Sequence, residues 1–202
     1  MWVWTALDGF PGVFGPLFKV LLLTGQRRGE VAGMRWSELR NLGTDEAVWD
    51  LPASRTKNGQ PHLVPLAPEV QAILMAQPRK GELVFSTTST TALSGFSKAK
   101  RQLDELVAEL RREAGLAPLP SWTLHDLRRT KVTMMNERLN IQPHVVEAVV
   151  NDLNGAAKQG VAGVYNRALY LNDRGKALSS WAAYVSSLAA VQSTSFSAKS
   201  AG

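Results

Sequence analysis

A histidine and an arginine one helical turn apart give the clearest chemical signal in this sequence. His125 and Arg128 lie in the segment H-D-L-R-R-T, where Leu124 and Leu127 form the apolar face of a predicted helix. Residues three apart on a helix share one face, so both polar side chains can point at the same anion. An imidazole and a guanidinium together suit a phosphate on which negative charge develops. The structural alternative is a histidine at a helix start beside a surface arginine.

Three further segments carry polar residues that could act on the same group. The segment T-G-Q-R-R-G-E places Arg27 three residues before Glu30, so the two can form an ion pair on one helix. Lys57 directly precedes the turn signal Asn58–Gly59 and therefore projects from a compact turn. Tyr165 lies among small residues in G-V-A-G-V-Y-N-R, which let the backbone bend and another surface approach closely. Taken singly, these residues also fit a surface ion pair, a solvated lysine and a structural tyrosine.

The elements that must position these residues are mostly helical. Leu17–Leu23 predicts a buried helix that Thr24–Gly25 ends. Further helices are predicted around Val31, after Pro68, over Phe96–Ala114, after Ser121 or Thr123 and from about Asp173 to Leu188. The helix over Phe96–Ala114 carries one apolar stripe of Leu103, Leu106, Val107 and Leu110, and Val145–Val150 is a further buried segment. Short runs of strand-forming residues predict strands at Ala47–Leu51, His62–Leu66 and Leu83–Phe85. The sequence therefore predicts an α+β fold, mainly α-helical with a small antiparallel β-sheet.

The last predicted helix needs an apolar partner surface. Its residues Leu178, Trp181, Val185 and Leu188 recur at helical spacing and are too apolar to face water. We expect this helix to dock on its own domain, with a neighbouring copy of the chain as the alternative. Residues 189–202 are small and polar, so we expect a disordered tail after one domain of residues 1–188.

The charge balance favours an anionic partner. The 202 residues carry a formal net charge of +6, and the pI is about 9.8. Basic proteins gain affinity for nucleic acids because neutralised phosphates release counterions. The chain has no cysteine, which excludes disulfides and thiolate metal sites. Apolar runs such as Val20–Leu23 are too short to cross a bilayer, and the N-terminus lacks signal-peptide features, so we expect a cytoplasmic protein.

The order and combination of these motifs resemble those of the tyrosine recombinases. T-G-x-R-x-x-E, a lysine beside a hairpin turn, H-D-L-R-R-T and G-V-A-x-V-Y-N-R are together similar to phage and genomic-island integrases over about Phe14–Leu188. The resemblance implies the tyrosine recombinase catalytic fold, which is that of DNA breaking-rejoining enzymes. It also implies that residues 1–188 form an integrase catalytic domain, and that the DNA-binding domains preceding it in such integrases are absent from this chain.

The resemblance implies a role for each polar residue. Arg27 and Arg128 match the two arginines that clamp the scissile phosphate, and Glu30 matches an acidic position that supports the first of them. Lys57 matches the lysine that protonates the leaving 5′ oxygen. His125 matches a histidine that assists proton transfer and phosphate binding. Positive charge around the phosphate and an acid for the leaving oxygen are what attack by a phenolate requires.

Tyr165 matches the nucleophile, which forms a 3′-phosphotyrosine with DNA. The implied function is site-specific DNA recombination, for phage or prophage integration or excision, by transesterification. The phosphotyrosine keeps the energy of the cleaved bond, so neither ATP nor another cofactor is implied. No metal is implied, because the carboxylates form no convincing magnesium cluster and the three histidines lack metal-ligand spacing. The expected partners are double-stranded DNA and other copies of the chain in a DNA-bound tetramer, with no membrane.

One position departs from the family pattern. Asp152 falls where such integrases carry a phosphate-binding histidine, or sometimes a tryptophan, before the tyrosine. An ionised aspartate only accepts hydrogen bonds and repels a phosphate, so we expect impaired or specialised activity.

Two alternatives use the same residues. A type IB topoisomerase shares the chemistry but relaxes supercoils, and the G-V-A-x-V-Y-N-R signature and compact length favour an integrase over it. A catalytically impaired DNA-binding remnant of an integrase would bind DNA on its basic face and keep Tyr165 as a structural residue. Asp152 supports that alternative, and the intact set of the other candidate residues argues against it.

Overall fold

The computed structural model describes residues 2–88, 90–152 and 170–200, which form eight α-helices and one three-stranded antiparallel sheet. The helices are α1 (Trp2–Asp8), α2 (Phe14–Thr24), α3 (Arg28–Ala32), α4 (Pro68–Met75), α5 (Phe96–Glu113), α6 (Leu124–Glu137), α7 (Pro143–Val149) and α8 (Leu171–Ser200). The strands, in sheet order, are β1 (Leu39–Arg40), β2 (Val48–Leu51) and β3 (His62–Pro65). The predicted fold class is confirmed. None of the described helices has the length and apolar character needed to cross a membrane.

Helix α2 lies at the centre of the core. Its Leu17, Phe18 and Val20 are fully buried, and the helix packs against α1, α4, α6 and α8. It ends because Gly25 adopts the left-handed conformation (φ +67°) and donates its backbone N–H to the Leu21 carbonyl. The predicted stop at Thr24–Gly25 is confirmed, and this turn directs the chain into α3.

The sheet contains the two strands predicted over 47–51 and 62–66, with slightly shorter bounds. The prediction of a third strand at Leu83–Phe85 is wrong, because Leu83 forms only an isolated bridge with Arg35. Val84 and Phe85 are buried there without a ladder, so core packing accounts for the apolar run that suggested a strand. The third strand is β1, which pairs with β2.

The connection between β2 and β3 is longer than a tight hairpin. It contains a 3₁₀ turn at Ala53–Arg55 and a turn at Gly59, whose φ is +68°. Gly59 is the residue of the predicted Asn58–Gly59 signal that takes a positive φ. The turn signal therefore lies in the correct place, within a ten-residue loop that carries Lys57 near its tip.

Helix α5 packs against α1 and contributes three buried residues to the core. Helix α5 buries Ala99, Leu103 and Val107, whereas Leu106, which the predicted stripe included, is 39% exposed. A spacing of four residues therefore describes the buried face better than the broader stripe that the sequence suggested.

Helix α8 docks on its own domain, as predicted. Leu178, Trp181 and Val185 are buried, and the Trp181 indole donates to the Leu22 carbonyl at 2.9 Å. The helix continues to Ser200, where the sequence suggested a disordered tail from residue 189. Beyond Gly175 this segment contains neither glycine nor proline, so small residues such as alanine and serine extend the helix.

Candidate active site

The turn after α2 positions the first arginine of the candidate site. Arg27 is the N-cap of α3, and its backbone N–H donates to the Glu30 carboxylate at 2.9 Å. The Arg27 guanidinium also lies 3.4 Å from that carboxylate, whose residue is only 4% exposed. Glu30 thus fixes both ends of Arg27, which is the ion pair the sequence suggested.

Helix α6 positions the second arginine. Its start is capped because the Asp126 carboxylate accepts the backbone N–H and the hydroxyl of Thr123, and these hydrogen bonds lower the pKa of Asp126. One turn later Arg128 is 6% exposed and donates to the Gly25 carbonyl at 2.8 Å and to the Val150 carbonyl at 2.6 Å. Burial lowers the pKa of Arg128, and the nearby charge of Arg27 lowers it further.

Asp152 lies beside both guanidinium groups. Its carboxylate oxygens are 3.9 Å from Arg27 Nη2 and 3.7 Å from Arg128 Nη2, and its side chain is 56% exposed. The backbone there is fixed because Asn151 takes the left-handed conformation (φ +51°) and the Asp152 N–H donates to the Glu147 carbonyl, which ends α7. An anion can therefore contact both arginines at once, and in this chain the anion in place is a carboxylate.

Four of the predicted site residues line one open cleft of about 520 Å³. They are Arg27, Lys57, His125 and Arg128, and the remainder of the lining includes the basic residues Arg28 and Lys100. None of the described residues that line the cleft carries a carboxylate, and Asp152 meets the two arginines outside this lining. The structure thus brings these side chains together on one basic surface, while their catalytic roles stay predictions. Tyr165 lies outside the described residues.

Lys57 and His125 are held less tightly than the arginines. Both side chains are exposed. The Lys57 backbone N–H lies 3.4 Å from the same Glu30 carboxylate that accepts the backbone N–H of Arg27. Nearby Arg55 donates to the Glu30 carbonyl at 2.7 Å and pairs with the Glu38 carboxylate. The base of the Lys57 loop is therefore attached to the start of α3.

The sequence did not indicate Lys131, which is fully buried on α6. Its ammonium donates to the carbonyls of Leu23 at 3.0 Å and Thr24 at 2.6 Å, the last carbonyls of α2. Burial lowers the pKa of Lys131 well below its usual range, and the charge of Arg128 lowers it further. A positive charge at the C-terminal end of a helix is favourable. Lys131 lies in the middle of α6, however, and the helix end that it meets is more than 100 positions away in the sequence.

His62 on β3 is a second buried group that the sequence did not indicate. His62 donates from Nε2 to the Val149 carbonyl at 3.1 Å, and its Nδ1 accepts from the Arg174 guanidinium at 3.4 Å. Burial, followed by the charge of Arg174, lowers the pKa of His62 to about 3, so the imidazole is neutral. Gln26, the neighbour of Arg27, donates to the same Val149 carbonyl at 2.8 Å. The end of α7 is thereby bonded to β3 and to the turn that carries Arg27.

The chain is similar to known proteins in sequence and in fold. Residues 15–170 match the phage integrase family. The prophage integrase IntA of Escherichia coli (strain K12) is 31% identical over 169 residues, which is 82% of this chain and 37% of that protein. The chain therefore spans less than half the length of this relative.

Solved structures share the fold at low sequence identity. The lambda integrase catalytic core aligns with a TM-score of 0.53 and 17% identity, covering 75% of this chain and 90% of that one. A lambda integrase tetramer bound to a Holliday junction aligns with a TM-score of 0.52 and 16% identity, covering 79% of this chain and 46% of that one. With the motifs in family order and the arginines around one cleft, the chain belongs to the phage integrase family and has the fold of a tyrosine recombinase catalytic domain.

Proposed function

We propose that this chain cuts and rejoins double-stranded DNA at a specific site, through a 3′-phosphotyrosine formed by Tyr165. The observation that carries the proposal is the arginine pair, since Arg27 and Arg128 lie 3.9 and 3.7 Å from oxygens of one carboxylate. A scissile phosphate has the charge and the oxygens to replace that carboxylate between the two guanidinium groups. The proposed function is therefore site-specific recombination during phage or prophage integration or excision.

The proposed reaction is a balanced transesterification. The Tyr165 hydroxyl gives its proton to His125, its oxygen bonds to phosphorus, and the bond between phosphorus and the 5′ oxygen breaks. The Lys57 ammonium donates a proton to the leaving oxygen. Rejoining is the reverse, so one phosphodiester is exchanged for another without ATP, a metal or a cofactor.

The assembly in which this occurs is also part of the proposal. A solved lambda integrase forms a tetramer on a Holliday junction, and we propose a tetramer of the whole protein on DNA in the cytoplasm. A non-catalytic DNA-binding remnant is the competing function, and the carboxylate of Asp152 between the arginines is the observation that favours it.

Covalent trapping distinguishes the two functions. A pool of duplexes with random sequence, each nicked on the 3′ side of a candidate cleavage position, loses its leaving fragment once cut. The chain should then remain attached to DNA on a denaturing gel, and Tyr165→Phe should abolish the attachment. Absence of any covalent product, with DNA binding intact, would contradict the enzyme and favour the remnant.

Salt dependence tests the proposed surface separately from catalysis. This chain spans less than half of its IntA relative, and we expect it on its own to bind DNA weakly and with little sequence preference. Its affinity should fall steeply as salt rises, because the basic cleft contacts phosphates. Binding measured by fluorescence anisotropy at several salt concentrations checks this. A sequence-specific complex that is insensitive to salt would be inconsistent with the proposal.

A further inference from the structure

Two asparagine side chains join the Lys57 loop to the end of α7. The Asn58 amide nitrogen donates to the Asn151 side-chain oxygen at 3.0 Å and to the Asn151 backbone carbonyl at 3.2 Å. In return, the Asn151 amide nitrogen lies 3.3 Å from the Asn58 side-chain oxygen. This reciprocal contact, here called the amide pair, spans 93 positions of the sequence.

The amide pair joins the loop to the site at the residue next to Lys57. Arg55 fixes the start of the loop through the Glu30 carbonyl, but the Lys57 N–H contact with Glu30 is long at 3.4 Å. Beyond it, the Asn58 side-chain oxygen also accepts the Gln60 backbone N–H at 3.1 Å, which closes the turn locally. The direction in which the exposed Lys57 side chain leaves this turn therefore depends on Asn58.

The other half of the pair belongs to a fixed part of the site. Asn151 is 8% exposed, with a left-handed backbone (φ +51°). The residue before it, Val150, gives its carbonyl to Arg128 at 2.6 Å, and the residue after it is Asp152, beside both arginines. The same short turn therefore contacts the arginines that would bind the phosphate and the Asn58 side chain of the Lys57 loop.

We propose that Asn58 and Asn151 are positioning residues that place the Lys57 ammonium against the leaving 5′ oxygen. The inference rests on the proposed function, in which Lys57 supplies the proton to that oxygen. Neither asparagine contacts the reacting atoms. They act through Lys57, because a general acid contributes only when it lies within hydrogen-bond reach of the atom it protonates.

A change of leaving group tests this role directly. A nicked duplex from the trapping experiment is remade with sulfur in place of the 5′ bridging oxygen, and single-turnover cleavage is followed on both substrates. A thiolate leaves without protonation, so loss of the acid should slow only the oxygen substrate. Lys57→Ala should lose activity on oxygen and regain it on sulfur, whereas Arg128→Ala should be slow on both.

The two ends of the pair give independent variants. Asn58→Ala removes one amide, and Asn151→Gly removes the other while keeping a residue that tolerates a positive φ. Each should cleave the oxygen substrate about 10- to 100-fold more slowly, the scale of a small misplacement of a reacting group. Each should stay within about twofold of the parent on sulfur, and the double variant should be no slower than either single one.

The outcomes separate the inference from the proposed function. Gln60→Ala is the matched control, since its side chain is exposed in the same loop, and it should cleave both substrates normally. Equal losses on oxygen and sulfur for Asn58→Ala and Asn151→Gly would overturn the inference alone, provided that Lys57→Ala is rescued by sulfur. If Lys57→Ala is not rescued, the acid role of Lys57 fails, and the inference fails with it.

Discussion

Arg128 and Lys57 face the same cleft but are held in opposite ways. Arg128 is 6% exposed and bonded to two backbone carbonyls that belong to the Arg27 turn and to the end of α7. The Lys57 side chain is exposed on a ten-residue loop, and its backbone is attached by a single long contact to Glu30. The half of the cleft formed by Arg27 and Arg128, here called the rigid half, is therefore part of the core. The half formed by the Lys57 loop lies on the surface of the core.

This difference suits the two tasks that the cleft is proposed to perform. Electrostatic stabilisation of a phosphate works best when the charges are already in place, because no energy is then lost in reorienting them. Proton transfer needs a group that lies within hydrogen-bond reach of the leaving oxygen when the bond breaks. A buried arginine and an exposed lysine match these requirements. Replacing the arginine should therefore lower both stability and rate, whereas replacing the lysine should lower the rate alone.

Removal of Arg128 should have the largest effect. Arg128→Ala leaves the Gly25 and Val150 carbonyls without their donor and should lower the free energy of unfolding by roughly 2–5 kcal/mol. Covalent trapping should fall by about 100- to 1000-fold in addition. Lys57→Ala should slow trapping while leaving the melting temperature unchanged. Thermal unfolding measures both variants, and a similar loss of stability in the two would show that Lys57 is as much a part of the core as Arg128.

The Arg27 turn should be nearly as sensitive, because Gly25 has a left-handed backbone and no room for a side chain. A Cβ atom there would lie 2.8 Å from Cδ of the buried Lys131. Gly25→Ala should therefore lower the free energy of unfolding by roughly 2–3 kcal/mol. Gly29→Ala is the matched control, since a Cβ there meets nothing within 4 Å, and it should be neutral or slightly stabilising. Chemical denaturation of both variants measures the difference, and equal stability would count against a rigid turn.

Much of the rigid half of the cleft was predictable from the sequence, because the motifs that indicate it involve residues close together in the chain. The Thr24–Gly25 stop, the Arg27–Glu30 pair and the spacing of His125 and Arg128 each depend on residues within one or two turns. The contacts that give Arg128 its rigidity were not predictable, because its acceptors lie 103 and 22 positions away. A residue's type and spacing show which face it occupies, but not which carbonyls it meets there.

The wrong strand prediction and the overlooked Lys131 have the same physical origin, which is packing between distant parts of the chain. Leu83–Phe85 consists of apolar residues that favour strands. Val84 and Phe85 are nevertheless buried in the core without forming a strand. Lys131 has the sequence appearance of a solvated lysine, and only the tertiary fold places the end of α2 against its ammonium. In both cases packing over long sequence separations decides the outcome, which local patterns do not encode.

The carboxylate of Asp152 offers a more modest test of the rigid half. Asp152→His removes a negative charge from between the arginines and supplies a hydrogen-bond donor, so trapping should become about 10- to 100-fold faster if one bond of roughly 1–3 kcal/mol is gained. Asp152→Ala removes the carboxylate without supplying a donor and should give a smaller increase. Tyr165→Phe in each background should abolish trapping. An unchanged rate for Asp152→His would place this carboxylate outside the path of the phosphate.

The smallest effect is expected behind the cleft, at His62. Its pKa is about 3 in the folded chain and about 6.5 when unfolded, so between these values the unfolded chain binds a proton that the folded chain does not. The free energy of unfolding should therefore fall by up to about 1.4 kcal/mol for each pH unit between 6.5 and 3, and be unaffected by this group above 6.5. Acid sensitivity of this kind would loosen the turn at Val149 that both arginines depend on.

His62→Gln isolates that contribution, because a glutamine amide can donate to the Val149 carbonyl and accept from Arg174 without titrating. Denaturant unfolding at several pH values between 7 and 5 should give a shallower loss of stability for His62→Gln than for the parent. His144→Gln changes an exposed histidine and should keep the slope of the parent. All three proteins contain the same carboxylates, so the contribution of these groups cancels in the difference. Equal slopes for His62→Gln and the parent would mean that His62 takes up a proton in the folded chain, and that the support beneath the rigid half of the cleft is more accessible to water than its burial indicates.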